Sequence, residues 1–237
     1  VDVLFAPDIS ETGLPMRPSA AHRAGIPLLE VWRKPIAGWH RFSKLAVDYA
    51  LALLATILFA PVFAIAAIAI RLDSPGPVLF RQKRVGFNNE VFEILKFRTM
   101  DHRENREDRI VQAQRFDPRV TRVGWILRRT SLDELPQLLN VLNGTMSLVG
   151  PRPHAINAHT QDRLWDEVIE GYFGRHRVKP GITGWAQING FRGEVDTDHK
   201  IRRRVEHDLY YIENWSLLFD LYIIAMTPLR LFDTRNA

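Results

Sequence analysis

YALALLATILFAPVFAIAAIAI, residues 49–70, runs for 22 positions without a charged side chain. A helix that crosses the hydrocarbon core of a bilayer needs about 20 apolar residues. A helix apolar on every face is hard to enclose in a body this small, so the run is read as a membrane segment. Pro61 sits near its middle, where a missing N–H and a clash one turn back kink or break a helix. The arms before and after Pro61 are about 18 and 14 Å long at 1.5 Å per residue, and neither spans a core of about 30 Å. Basic residues flank both ends: Arg33, Lys34, Arg41 and Lys44 before, Arg71, Arg81, Lys83 and Arg84 after. The positive-inside rule therefore gives a crossing no direction. A re-entrant helix that enters and leaves on one face satisfies both flanks. A kinked but complete crossing also fits, since proline is common in transmembrane helices. The residues alone leave both open.

The remaining composition bounds the chemistry. The chain has 237 residues, 46% apolar and 25% charged, which fits one folded domain with appendages. The absence of cysteine excludes disulfides and thiolate chemistry. A net charge of +5 suits nucleic acid, anionic lipid or phosphorylated small substrates without choosing among them. There is no HExxH, GxSxG, Walker A or GxGxxG pattern. Residues 1–40, punctuated by Pro7, Pro15, Pro18, Pro27 and Pro35, read as a linker or the tail of an upstream domain, with a short strand at 26–31. The start at Val1 is expected to be the interior of a longer protein.

Beyond the membrane segment, DSPGP (73–77) is a turn. VLFRQKRVG and EVFEILKFRTM, joined by Phe87–Glu90, predict a hairpin bearing Lys83, Arg84, Lys96 and Arg98. Residues 101–115 are dense in charge and predict an exposed helix or loop. In RRTSLDELPQLLNVLNGTMSLVGPRP (128–153), Ser131 and Glu134 have capping-box spacing for a helix from Leu132, with Pro136 in its first turn. Its stripe is Leu135, Leu138, Leu139 and Leu142, its end is Asn143–Gly144, and SLV follows as a strand. Asp133 and Glu134 would lie at that helix start, where acidic residues are common for structural reasons. Arg128, Arg129 and Arg152 nearby make a mixed cluster that can hold a metal ion and phosphate oxygens. HRVKPGITGWAQINGFRGE (176–194) places Lys179, Gln187, Asn189 and Arg192 between glycine turns. Trp185 could stack on a base or pack in the core. Residues 217–229 read equally as an interfacial or a packed helix.

DSPGPVLFRQKRVG, FEILKFRTM, RRTSLDELPQLLNVL, MSLVGPRP and KPGITGWAQING together resemble the bacterial sugar transferases, the polyprenyl-phosphate hexose-1-phosphate transferases of the monotopic phosphoglycosyl transferase superfamily. The resemblance covers about residues 40–225. It implies transfer of hexose 1-phosphate from a UDP-hexose to undecaprenyl phosphate with release of UMP, at the start of exopolysaccharide assembly. Glucose is the expected hexose and galactose or another hexose the alternative. It further implies a re-entrant membrane helix, a cytoplasm-facing site at the bacterial inner membrane, and Mg²⁺ dependence. On the family pattern Asp133 is the nucleophile and Glu134 the magnesium ligand, with Arg128 and Arg152 near the phosphates. Lys96, Arg98, Lys179, Gln187 and Asn189 complete the expected substrate-binding set. Thr145 departs from the acidic residue that many relatives have there. The expected fold is α+β: a linker over 1–40, a membrane helix over 41–72 and a catalytic domain over 73–237. Membrane lipids are expected partners, nucleic acid is not, and a homodimer is left open.

Overall fold

A computed structural model describes residues 19–23, 26–30, 36, 38–101, 117–154, 159–160, 163–164, 172–193 and 197–231. Its membrane-segment candidate is two helices, α1 (Trp39–Leu58) and α2 (Ala60–Asp73), bent by 58° at Phe59. Pro61 is the second residue of α2, a position that needs no intrahelical N–H bond. The break therefore falls two residues ahead of the proline, where Pro61 would otherwise have to bond the carbonyl of Ile57. Among the described residues no single helix is long and apolar enough to cross a membrane, whereas the bent pair qualifies when taken together.

One stripe of α1, Lys44, Asp48 and Ala52, is buried at four-residue spacing. Its other faces expose Trp39, Leu54, Ile57 and Leu58, and α2 exposes Ile65, Ile68 and Leu72. Lys44 is thus not the flanking base expected from the sequence. Its Nζ lies 2.8 Å from Asp220 Oδ2 and 3.5 Å from Asp48 Oδ2, inside the protein.

The expected hairpin forms from β3 (Leu79–Val85) and β4 (Val91–Phe97), antiparallel from Leu79↔Phe97 to Val85↔Val91. Asn88 and Asn89 take positive φ in its loop, which asparagine tolerates better than most residues. A second hairpin, β1 (Ser19–Arg23) with β2 (Ile26–Glu30), occupies part of the stretch read as linker. The charge-dense stretch 102–116 lies outside the described residues.

The capping box at Ser131 does not form. Helix α3 (Arg122–Thr130), capped by Thr121, ends at Ser131, whose φ of 59° is left-handed. Leu132–Glu134 then make a 3₁₀ turn, and α4 (Gln137–Leu142) starts only after Pro136. In this conformation the Glu134 N–H donates to the Ser131 carbonyl at 3.3 Å, and the Ser131 hydroxyl accepts instead from Arg192 Nη2 at 2.8 Å. The late restart also rotates the apolar stripe. Leu138 and Val141 are buried, while Leu139 is exposed.

β5 (Ser147–Val149) pairs in parallel with β8 (Gly181–Thr183). Here the glycines permit contact between backbones. A Cβ on Gly181 would lie 2.1 Å from Gly150 N, and one on Gly184 would lie 2.3 Å from Gly150 O. A short pair, β6 (His159–Thr160) with β7 (Arg163–Leu164), separates these two strands in sequence. Three helices follow: α5 (Trp185–Ile188), α6 (Asp198–Glu213) and α7 (Leu217–Leu231). Trp185 packs edge-on to Phe219 at 5.1 Å and stacks near Tyr210, which gives it a packing role. Val149, Val178, Ile188, Tyr211 and Ile223 form the core between the strands and α6–α7. α7 buries Asp220 and Ile223 and exposes Leu218, Tyr222 and Leu229. The architecture is α+β, with two-stranded sheets held among helices.

Candidate active site

The 3₁₀ turn that presents Asp133 and Glu134 is fixed to β4 through α4. Buried Asn140 accepts from the Leu95 N–H at 2.9 Å and donates to the Glu93 carbonyl at 2.7 Å. Thr145 joins this clasp by donating to the Asn140 carbonyl at 3.1 Å. The register so set brings Lys96 to the dyad. Lys96 Nζ donates to Glu134 Oε1 at 2.8 Å. Arg152, in the loop after β5, adds a fork, with Nη2 to Oε1 at 2.5 Å and Nη1 to Oε2 at 3.2 Å. Arg192 lies 3.9 Å from Oε2. Burial alone would raise the Glu134 carboxyl, but Arg152 and Lys96 outweigh it and hold the group well below the usual range.

Asp133 is treated differently. Among the described residues its carboxylate has no hydrogen-bond or ion-pair partner. Burial, and then the charge of Glu134, push it up to about 6 against the pull of Lys96, Arg152 and Arg128. One carboxylate is thus locked among cations and its neighbour is left with open lone pairs.

Arg152 is itself positioned from behind. Arg175, only 1% exposed, donates from Nη2 to the Arg152 carbonyl at 2.6 Å. Its Nε and Nη2 also reach Asp208 Oδ2 on α6 at 3.1 and 2.7 Å, and it touches His154. The ion pair anchors the loop that carries the fork.

The other expected residues divide. Arg128 is exposed on α3, yet its charge reaches Asp133. Gln187 lines a cleft of about 190 Å³ together with Ser131, Glu134 and Arg192. Its amide donates to the Ile182 carbonyl, leaving a buried Oε1 without a hydrogen bond. Arg98 is not brought to the dyad: it donates to the carbonyls of Pro75 and Ser74 at the end of α2. The charges acting on Lys179 are those of Asp48, Arg41 and Lys44, at the start of α1. Asn189 is exposed and bonds the Trp185 carbonyl. Arg192 and Arg84, named in the sequence among the bases of the glycine turns and of the hairpin but left out of the expected substrate-binding set, also lie at the site. Arg192 is held between Gly190 and Gly193, both at positive φ, and that bracket is the signal that could have marked it. Arg84 is largely buried near Arg152 and Glu134, its pKa lowered to about 10 by burial and then by Arg152. No local pattern distinguishes it from Lys83.

Among the described residues no group of three or more His, Cys, Asp or Glu is gathered for a metal ion. Magnesium is commonly held by one or two carboxylates plus substrate phosphates and water. Glu134 Oε2 accepts a single hydrogen bond, so it retains a lone pair, and the donor set fits an ion of that kind.

A family described as bacterial sugar transferase matches residues 39–234. A UDP-glucose:undecaprenyl-phosphate glucose-1-phosphate transferase of Escherichia coli is 48% identical over 236 residues, covering 99% of this chain and 50% of the relative. A protein of the same name from Caulobacter vibrioides is 53% identical over 194 residues, 82% of this chain and 71% of the relative. A UDP-N-acetylgalactosamine-undecaprenyl-phosphate N-acetylgalactosaminephosphotransferase of Aeromonas hydrophila is 45% identical over 190 residues, 79% of this chain and 43% of the relative. The chain spans about half the length of the Escherichia coli and Aeromonas relatives.

Proposed function

Because this chain belongs to the bacterial sugar transferase family, we propose that it moves glucose 1-phosphate from UDP-glucose to undecaprenyl phosphate and releases UMP. The observation that carries the reading is the unpartnered carboxylate of Asp133 beside the clamped carboxylate of Glu134. An Asp133 oxygen attacks the β-phosphorus of the donor. The bond from that phosphorus to the bridging oxygen breaks, and UMP leaves with the bridging oxygen. The phosphohexose is then an acyl phosphate on Asp133, so one difficult substitution becomes two easier ones. A phosphate oxygen of the lipid attacks the same phosphorus, restores the Asp133 carboxylate and leaves a lipid diphosphate sugar.

Both substrates are anions, so the attack needs charge compensation. Arg152, Lys96 and Arg192 supply part of it from fixed positions around the dyad. Glu134, together with the donor's phosphates, would hold magnesium, which when bound neutralises charge on the phosphate oxygens. Gln187 Oε1 accepts a hydrogen bond from a hexose hydroxyl. In the cell the bent pair α1–α2 enters the cytoplasmic leaflet of the inner membrane and returns, which holds the dyad at the level of the lipid phosphate. Exopolysaccharide initiation follows from that product. A second donor reading, an N-acetylhexosamine, is supported by the name of the Aeromonas relative.

The test incubates the purified full chain with undecaprenyl phosphate, Mg²⁺ and a panel of UDP-sugars. UMP release with UDP-glucose is expected, together with its loss in Asp133→Asn. Release of UDP in place of UMP, or unchanged turnover in Asp133→Asn, would sink the mechanism.

A further inference from the structure

The cleft at Glu134 has linings of two kinds. Ser131, Glu134, Gln187 and Arg192 are polar and include the 2.8 Å bond from Arg192 to Ser131. Most of the remainder is apolar: Ala55 and Phe59 at the α1–α2 bend, with Leu138, Ile182 and Ile188 from the body. Thr227 and Arg230 of α7 also border it. The cleft is thus bounded by both α1 and α7, each of which exposes large apolar side chains, among them Leu54, Ile57, Leu58, Leu218, Tyr222 and Leu229.

Size and chemistry restrict the occupant. The cleft has a volume near 190 Å³, and the side chains at the α1–α2 bend, Ala55 and Phe59, offer a UDP-hexose no polar partner. An apolar cavity of about 150 Å³ holds a six-carbon ring, so this one suits a five-carbon branched unit with its attached oxygen. Arg192 stands among the lining groups and complements a phosphate monoester.

We propose that the cleft seats the first isoprene unit of the polyprenyl phosphate acceptor. Its chain enters between the α1–α2 bend and α7, and its phosphate is directed toward Arg192 and the dyad. The proposal rests on the transfer reading above and adds the route by which the lipid reaches it. The polar lining faces the transferred phosphohexose and the apolar lining faces the acceptor. Ala55, Phe59 and Thr227 then act on lipid recognition without touching the donor.

Full-chain protein in nanodiscs of phosphatidylethanolamine and phosphatidylglycerol, irradiated with a polyprenyl phosphate bearing a diazirine on its first isoprene unit, tests this. Crosslinks are expected at Ala55, Phe59, Leu138, Ile182 or Ile188, and excess undecaprenyl phosphate should remove them. Extra phosphatidylglycerol should not. Filling the cleft by Ala55→Phe should raise the KM for undecaprenyl phosphate about tenfold, with a smaller rise in Ala55→Leu, while the KM for UDP-glucose moves little. Crosslinks confined to other surfaces, or their removal by phosphatidylglycerol, would overturn the proposal even if UMP is released normally. Crosslinks in the cleft without UMP release from any UDP-hexose would instead overturn the transfer reading and leave a lipid seat.

Discussion

The Glu134 carboxylate takes bonds from Lys96 and Arg152, while that of Asp133, one residue earlier, takes none from the described residues. The left-handed Ser131 makes this difference possible. A continuous helix would have put both carboxylates in one capping environment, whereas the 3₁₀ turn buries Glu134 among cations. The fork from Arg152 requires a planar guanidinium. Arg152→Lys keeps the charge but loses one bond, and kcat for UMP release is expected to fall about 100-fold in steady-state assays. At this level the sequence pairs Asp133 with Glu134 by adjacency, and the structure brings Arg152 and Lys96 to Glu134 from 18 and 38 residues away. Arg98 and Lys179 were grouped with them by charge alone, and their positions depend on α2 and α1, which no local spacing encodes. Arg192 reaches Ser131 across 61 residues, and such a contact has no sequence signature.

Helix α1 joins an apolar exterior to a buried ionic stripe. Lys44 faces Asp48 and Asp220, and Asp220 also accepts from Tyr211 at 2.8 Å and Trp215 at 3.0 Å. Removing this cation leaves the buried carboxylates without their ion-pair partner. Lys44→Met is expected to destabilise the protein by about 3–5 kcal/mol in detergent unfolding, with partial rescue when Asp220→Asn is added. The bend carries a second expectation. Cysteine tags just before Trp39 and just after Asp73 should both react from the cytoplasmic side, and reaction from opposite sides would mean a complete crossing. The apolar run and Pro61 announced these two helices and their break, and the β3–β4 hairpin was equally visible. The tilt of the pair and the buried stripe were not, because Lys44 reads as a flanking base until Asp220 is placed beside it.

Two features extend through the whole fold. β5 and β8 meet through glycines, and Gly181→Ala would drive a Cβ to 2.1 Å from Gly150 N. We expect a loss of more than about 3 kcal/mol and little folded protein after size-exclusion chromatography. His154 and His176 are held neutral, first by burial and then by Arg175, which lowers His154 well below 6.5 and His176 to about 3. The unfolded chain binds these protons and the folded one does not. Stability is therefore full above about pH 6.5 and declines below it, by about 1.4 kcal/mol per pH unit for each histidine. Thermal unfolding between about pH 7.5 and 5.5 should show this fall, and His176→Gln should flatten it. The sequence marked the glycines as punctuation but not as a crossing point, since a contact between residues 150 and 181 is a property of the assembled chain. The pairing of Lys44 with Asp220, 176 residues apart, also sets a clock. A ribosome adding about 5–20 residues each second takes about 9–35 s between the two. For that interval α1 exists with its lysine lacking Asp220, so α1 settles only once α7 is made, and a chain released before residue 220 never completes it.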